Sequence, residues 1–332
     1  MPIKAGIIGL GVGEAHIKGY QAHPDCRVVA LCDLDAQKLK RARGKYPDMV
    51  LTEKAEDILK DPHIDVVSIA SYDNEHYKHI MMALEYDKHV FVEKPFCIYK
   101  HEAQSIRDSL RNKPHIKLSS NLILRKCPRF MELKKRVAGG DLGILFHVEG
   151  DYDYGRLWKI TEGWRGQMEF YSVIYGGGVH IIDLLLWLTK EKVTEVASFG
   201  NNIASQGTQF KFNDSATGIL KFESGTTGKI SVHFGCVMPH FHHLSVFGTK
   251  GTFINGPAQG HYYFSRDPLK PEEITVQAYP GVAKGDLITQ FVESIIEDKE
   301  PDVSTEDIFR TMSVCFALEE SVNKGVQRVE YI

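Results

Sequence analysis

The chain has 332 residues, room for about two domains at roughly 150 residues each. Hydrophobic residues make up 43% and charged residues 25%, and 40 Lys and Arg against 43 Asp and Glu leave a formal charge of -3, so nothing in bulk charge suggests a nucleic-acid partner. No stretch approaches 18 uncharged apolar residues and the start, MPIKAGIIGLGVG, does not read as a secretory leader; a cytoplasmic protein without a membrane partner is expected.

From Ile3 to about Asn121 short apolar runs alternate with amphipathic segments. Strands are predicted at Ala5 to Ile8, Val28 to Leu31, Val66 to Ala70, His89 to Val92 and Ile116 to Ser119. Helices are predicted between them at Glu14 to Ala22, Ala36 to Lys45, Glu75 to Glu85 and Lys100 to Arg111. Continuous apolar strands separated by helices give a doubly wound parallel sheet, so the fold class is α/β with a first domain over 1–121. Beyond Asn121 a helix opens at Pro128 and stops at Gly139-Gly140, followed by a strand from Ile144 to Tyr154 and a hairpin around Ser224-Gly225. Two helices close the chain, Asp286 to Glu297 and Thr305 to Lys324, so residues 122–332 are expected to form a second, α+β domain with a large, mainly antiparallel open sheet. Such a sheet needs a covered face, and a homodimer or homotetramer built through it is expected.

Six scattered cysteines with no Cys-x-x-Cys pair read as reduced core thiols, not a disulfide frame or zinc site. His240, His242 and His243 invite a metal check. In an extended strand only His240 and His242 share a face, and no Cys or carboxylate stands at ligand spacing, so a partly exposed edge strand and no metal are expected.

Gly6-Ile-Ile-Gly9-Leu-Gly11-Val12-Gly13-Glu14 follows a buried strand and opens a helix, the context of a dinucleotide-binding loop. Gly9 serves the tight turn and Gly11, with Val12, the backbone approach to a pyrophosphate. The place of the third glycine holds Glu14, with Gly13 one residue early, so the Glu14 carboxylate must point away from the phosphates. Asp33, ending the second strand, suits a ribose-binding acid or the cap of the next helix, two compatible roles. Its charge would repel a 2'-phosphate by roughly 1 to 4 kcal/mol at about 4 Å with no arginine beside it, which favours NAD over NADP.

Lys88-His-Val-Phe-Val-Glu93-Lys94-Pro95 puts an acid, a base and a rigid bend at the carboxyl end of a buried strand, where open α/β sheets hold ligands. With the glycine loop, Asp33, the run Ser71 to His76, Asn121 and Gly176-Gly-Gly-Val-His180-Ile-Ile-Asp183, the chain resembles the Gfo/Idh/MocA oxidoreductases along nearly its whole length. The resemblance implies a Rossmann domain and a sheet domain with nicotinamide and substrate meeting between them, and an enzyme acting on a CH-OH group of a sugar or nucleotide-sugar. It places Gly9, Gly11, Val12, Asp33, Ser71, His76, Glu93, Lys94 and Asn121 at the cofactor, and Lys94 and His180 at the reacting carbinol. Unperturbed His titrates near about 6.5 and Lys near about 10.4, so His180 suits the proton acceptor and Lys94 a polarising or relaying role. Taken alone, His180 on its very apolar helix reads equally as a core histidine.

Two departures stand out. Many relatives of this type carry Asp-x-Gly-x-His where this chain has Gly176-x-Gly178-x-His180; Tyr175, Asp151 or Asp153 is the candidate replacement for the missing acid. The usual Thr-Pro-Asn-x-x-His reads Ser71-Tyr72-Asp73-Asn74-Glu75-His76, without the proline. On the substrate side Tyr152, Trp164, Arg165 and Tyr175, with Tyr154, Arg156 and Trp158 nearby, suit stacking on a ring and holding a diphosphate, or else are ordinary sheet and core residues. A non-catalytic NAD-binding sensor or assembly protein, and a reductase of a small non-sugar ketone or diol, are the alternatives.

Overall fold

The computed structural model describes residues 2–332 and divides into two compact units. The first comprises the chain up to Ile123, Ala283–Phe309 and Ile332; the second comprises Leu124–Val282 and Arg310–Tyr331. The uninterrupted second domain expected over 122–332 is thus corrected: residues 283–309 return to the first unit because their apolar side chains cover its helices and strands.

The first unit is a six-stranded, all-parallel sheet of β1 (Ile3–Ile8), β2 (Cys26–Cys32), β3 (Val50–Thr52), β4 (Val66–Ile69), β5 (His89–Val92) and β6 (Leu118–Ser120), in the order β3-β2-β1-β4-β5-β6. Its middle strands are continuous apolar runs because helices cover both faces; all four residues of β4 are buried. The sequence reading missed β3 and the helix Ala55–Leu59, short elements with little burial pattern of their own. The returning segment packs by close approach. A Cβ on Gly19 would lie 2.4 Å from the Gly285 carbonyl oxygen, Thr289 Oγ1 donates to Gly19 O, and Phe91 meets Phe291 at 5.6 Å. Edge strand β6 is covered by Val303 and Thr305, whose backbone and hydroxyl oxygens take hydrogen bonds from Ser119 Oγ and the Leu118 N-H.

The second unit is a nine-stranded sheet of β7 (Leu145–Asp153), β8 (Val193–Asn201), β9 (Ser215–Phe222), β10 (Thr227–His233), β11 (Phe241–Gly248), β12 (Thr252–Asn255), β13 (Gly260–Tyr263), β14 (Glu273–Thr275) and β15 (Gln327–Arg328). The order is β14-β13-β12-β11-β7-β10-β9-β8-β15, antiparallel except where β10 runs parallel to β7. Alternation divides its faces. The row Leu220, Gly228, Val148, Val246, Phe253, Tyr262 is buried, while the neighbouring row of Ile219, Lys229, Glu149, Ser245, Ile254, His261 and Ile274 is partly or largely exposed. Helix Val179–Thr189 lies on the buried face, and Gly150 of β7 admits Ile181 so closely that a Cβ there would be 2.8 Å from its Cγ2.

Among the described residues no disulfide joins any of the six cysteines, five of which are buried. Among the described residues no helix is long and apolar enough to cross a membrane.

Candidate active site

In the first unit the three glycines of the loop differ in their surroundings. Gly9 has φ +93°, and a Cβ there would meet the Ala70 carbonyl oxygen at 2.2 Å, so the turn out of β1 requires glycine. A Cβ on Gly11 would meet nothing within 4 Å: this is the open position, beside exposed Val12, where a ligand's phosphates have room. Gly13 lies under the helix start, where a Cβ would be 3.0 Å from Ile7 Cγ2 and 3.1 Å from Ala70 Cβ. It takes the helix-packing part of the fingerprint's third glycine one residue early. Glu14 turns away, its carboxylate 2.7 Å from Lys45 Nζ.

Asp33 is buried. Oδ2 accepts from the Leu10 N-H at 2.7 Å and Oδ1 from the Asp35 N-H at 2.9 Å, so the acid ties the glycine loop to the end of β2. The cap of helix Ala36–Lys45 is Asp35, which accepts from the Gln37 and Lys38 N-H groups, so Asp33 is released from that role. Its charge does have a cationic neighbour: Lys38 Nζ stands 3.0 Å from Oδ2.

At the carboxyl ends of β4, β5 and β6 a buried network surrounds Glu93. His16 places Nδ1 2.8 Å from Ser68 Oγ and Nε2 3.2 Å from Glu93 Oε1, while Asn121 Nδ2 donates to the same Oε1 at 2.7 Å and to the Lys284 carbonyl at 3.0 Å. Burial works against the Glu93 charge, but the His16 hydrogen bond and the charges of Lys284, His16 and Lys94 outweigh it and hold the carboxyl below the usual range. The sequence reading gave no role to His16, which closes the glycine-loop motif; its signal was its place in the first turn after that loop. On the other side of Lys94, fully buried His76 has Nδ1 2.7 Å from the Pro95 carbonyl and Nε2 3.1 Å from that of Ser71. Ser71 Oγ in turn lies 3.0 Å from His79 Nδ1. Half-buried Lys94 is therefore fixed by backbone held on both sides.

In the second unit His180 is set among rings and glycines. Ile174–Gly178 forms one π-helical turn leading into helix Val179–Thr189, capped by Ser172 Oγ, which accepts from the Ile174 and Tyr175 N-H groups. Each of its three glycines is filled by a neighbour. Cβ atoms would fall 2.1 Å from the Tyr171 hydroxyl oxygen at Gly176, 2.5 Å from the Tyr152 ring at Gly177 and 2.8 Å from Val232 Cγ2 at Gly178. Buried His180 stacks on Tyr152 at 6.0 Å and 19°, and Tyr152 also meets His240 at 5.0 Å and His242 at 5.3 Å. His242 is fixed by Tyr279, whose hydroxyl oxygen accepts from the His242 N-H at 2.8 Å and lies 2.7 Å from Nδ1.

The candidates for the missing acid resolve differently. Asp151 pairs with Lys229 and Asp153 with His243, while Tyr175 is buried against Phe170 and Phe316. The expected substrate role of Tyr175 has no support from that burial. Asp183 serves packing: Arg125 grips it with Nε to Oδ2 at 2.9 Å and Nη2 to Oδ1 at 2.6 Å, both side chains buried. Tyr152 and Tyr154 stack at 5.5 Å, Arg156 lies over Tyr154 at 5.0 Å and Arg165 over Trp164 at 4.3 Å. Burial raises the Tyr152 phenol, the Tyr154 phenol adds to it, and the charges of Arg156 and Arg165 oppose it, so both arginines act on this ring cluster. The edge-strand expectation for the histidines is corrected: β11 lies inside the sheet, with His242 buried and His243 on the other face. Among the described residues no group of three or more His, Cys, Asp or Glu side chains is arranged to hold a metal.

Residues 3–121 match the model of an oxidoreductase family with an NAD-binding Rossmann fold, and residues 130–254 match that of the GFO/IDH/MocA C-terminal domain. A curated relative, the uncharacterized oxidoreductase YrbE of Bacillus subtilis, is 28% identical over 258 residues, covering 75% of this chain and 72% of its own. Myo-inositol 2-dehydrogenase of Thermotoga maritima is 23% identical, with 75% and 74% covered. The fold is shared with a levoglucosan dehydrogenase solved with NADH (20% identity, TM-score 0.87, all of both chains) and with scyllo-inositol dehydrogenase from Lactobacillus casei (18%, 0.80, 99% of each).

Proposed function

The chain belongs to the Gfo/Idh/MocA oxidoreductases, with an NAD-binding Rossmann domain as its first unit, and from that premise we propose that it moves a hydride between NAD and a secondary alcohol or ketone of a sugar-type polyol. The observation that carries the reading is the fixation of Lys94, with Glu93 held by His16 and Asn121 and Pro95 held by His76. Three polar contacts, two on the Glu93 carboxylate and one on the Pro95 carbonyl, flank one half-buried lysine and suit a group that must meet a reacting oxygen in a set position. Gly11, Val12 and Asp33 fit the dinucleotide: the first two leave room for phosphates, and Asp33 stands where ribose hydroxyls donate. Bound NAD supplies the hydride acceptor. On this reading His180 takes the hydroxyl proton in alcohol oxidation and returns it in ketone reduction, and Lys94 is the polarising group. Trp164 and Arg165 are the substrate-side candidates, a ring for the C-H faces of a polyol and a guanidinium for its oxygens, while buried Tyr152 packs against His180. The inositol and levoglucosan dehydrogenases among the relatives support a cyclic polyol over a nucleotide-sugar.

The test is a panel of inositols, anhydrosugars, aldoses, small diols and nucleotide-sugars with NAD, followed by NADH absorbance. At least one cyclic polyol is expected to turn over, and Lys94→Met should bind NADH as before while losing at least about a hundredfold in turnover. Cofactor binding with no alcohol-dependent signal anywhere on the panel would establish the sensor reading instead. The exposed row that includes Ile219, Ile254 and Ile274 further supports a homodimer or homotetramer through the open sheet face. Light scattering that gives a monomer at micromolar concentration would overturn it.

A further inference from the structure

A carboxylate accepts hydrogen bonds at about four lone-pair positions. On Asp33 the Leu10 N-H takes one on Oδ2, the Asp35 N-H takes one on Oδ1, and Lys38 Nζ takes a second on Oδ2 at 3.0 Å. About one position is left, on Oδ1, whereas the adenosine ribose of NAD presents two hydroxyl donors, 2' and 3'. Two of the three contacts are built into the backbone, one in the glycine loop and one in the turn after β2, and cannot yield without moving the chain. Lys38 can. It stands in the first turn of helix Ala36–Lys45 on a flexible stem, its side chain 32% exposed against 8% for Asp33. Asp33 is its acidic partner among the described residues, and the next carboxylate along, Asp35, is occupied in capping the helix.

We propose, on the reading that Asp33 meets the ribose, that Lys38 is a cofactor-specificity residue that makes the site tolerate NADP beside NAD. NAD takes Asp33 with both ribose hydroxyls and displaces the ammonium from Oδ2. NADP has only the 3'-hydroxyl to give, which suits the open position on Oδ1, so the ammonium stays on Oδ2. It carries three donors and spends one on Asp33, which leaves the others for the 2'-phosphate. A lone carboxylate rejects that phosphate by like charge. A carboxylate paired with an ammonium carries no net charge, so the repulsion is offset within a few ångströms of its source. NAD stays preferred, since the phosphate must still give up water beside a buried acid, but the margin is narrow.

The experiment titrates the full chain with NADH and with NADPH, followed by nicotinamide fluorescence at two salt concentrations. The parent is expected to bind NADPH more weakly than NADH by no more than about thirtyfold. In Lys38→Ala the NADPH dissociation constant should rise about tenfold while that of NADH stays within about twofold. NADPH binding to that variant should also lose part of its salt dependence, and Lys38→Arg should keep NADPH binding at the parent level. Asp33→Asn should move the other way, weakening NADH and sparing NADPH, with the melting temperature reporting whether the glycine loop is intact. NADPH affinity unchanged in Lys38→Ala, or a parent that binds NADH with no detectable NADPH binding, would overturn the proposal and leave Lys38 as a surface partner of Asp33. If a folded Asp33→Asn binds NADH like the parent, the ribose reading of Asp33 fails, and the role of Lys38 falls with it.

Discussion

The two units fix their functional side chains by opposite means. Around Lys94 the work is done by hydrogen bonds and a buried charge: His16, Asn121 and His76 bind Glu93 or the adjoining backbone at 2.7 to 3.2 Å. Around His180 it is done by shape, with Tyr171, Tyr152 and Val232 filling the spaces that Gly176, Gly177 and Gly178 leave open. Hydrogen bonds set direction, which suits a lysine whose chain is long and flexible. Ring packing sets position and excludes water, which suits the proton-exchanging role proposed for the imidazole.

The contrast can be broken hardest at the buried ion pair of Arg125 with Asp183, on the helix that carries His180. Arg125→Met leaves Asp183 buried without its partner and should cost about 3 to 5 kcal/mol in urea unfolding. A loss well under 1 kcal/mol would mean that packing alone holds this helix. On the polar side, burial first and then the charges of His76 and Lys78 lower His79, the partner of Ser71, to about 4. The unfolded chain takes up that proton near about 6.5 and the folded one does not, so stability falls as pH drops from about 6.5 to about 4, by at most about 3 kcal/mol, and levels off below. His79→Gln should flatten that part of the stability curve. Gly177→Ala presses a methyl into the Tyr152 ring and should cost roughly 1 to 3 kcal/mol while leaving NADH affinity alone; a neutral result would show that the rings can yield. The smallest effect concerns Lys38, whose ammonium offsets the charge of Asp33. Lys38→Ala should widen the preference for NADH over NADPH by up to about tenfold, near 1.4 kcal/mol, in a fluorescence titration.

The same contrast explains what could be read from the residues alone. The parallel sheet, the glycine loop, Asp33 and the Glu93-Lys94-Pro95 corner were legible because strands, turns and ligand-facing strand ends leave local marks of composition and spacing. The division of labour between Asp33 and Asp35 was not, since both suit a cap and only the turn geometry selects Asp35. Arg125 and Asp183 are 58 positions apart and meet only through the tertiary fold. The glycines 176–178 showed as an absent acid, and what entered the space instead was Tyr171 from just upstream, with Tyr152 of β7 and Val232 of β10 from distant segments. A run of three glycines before an oily helix carries the signal of close approach but not the identity of the visitor.

The return of Ala283–Phe309 to the first unit also dictates an order of events at the ribosome. When residue 123 leaves the exit tunnel, the face of Gly19 and Phe91 has no cover and edge strand β6 no neighbour on its outer side. Both must wait while the whole of 124–282 is synthesised. Domains ordinarily fold in sequence as they emerge, N-terminal first; here the first to emerge is among the last to be finished. A shortened chain ending near residue 123 is therefore a poor stand-in for the cofactor-binding half, whereas a fusion of 1–123 to 283–309 through a short linker carries all of that half but Ile332.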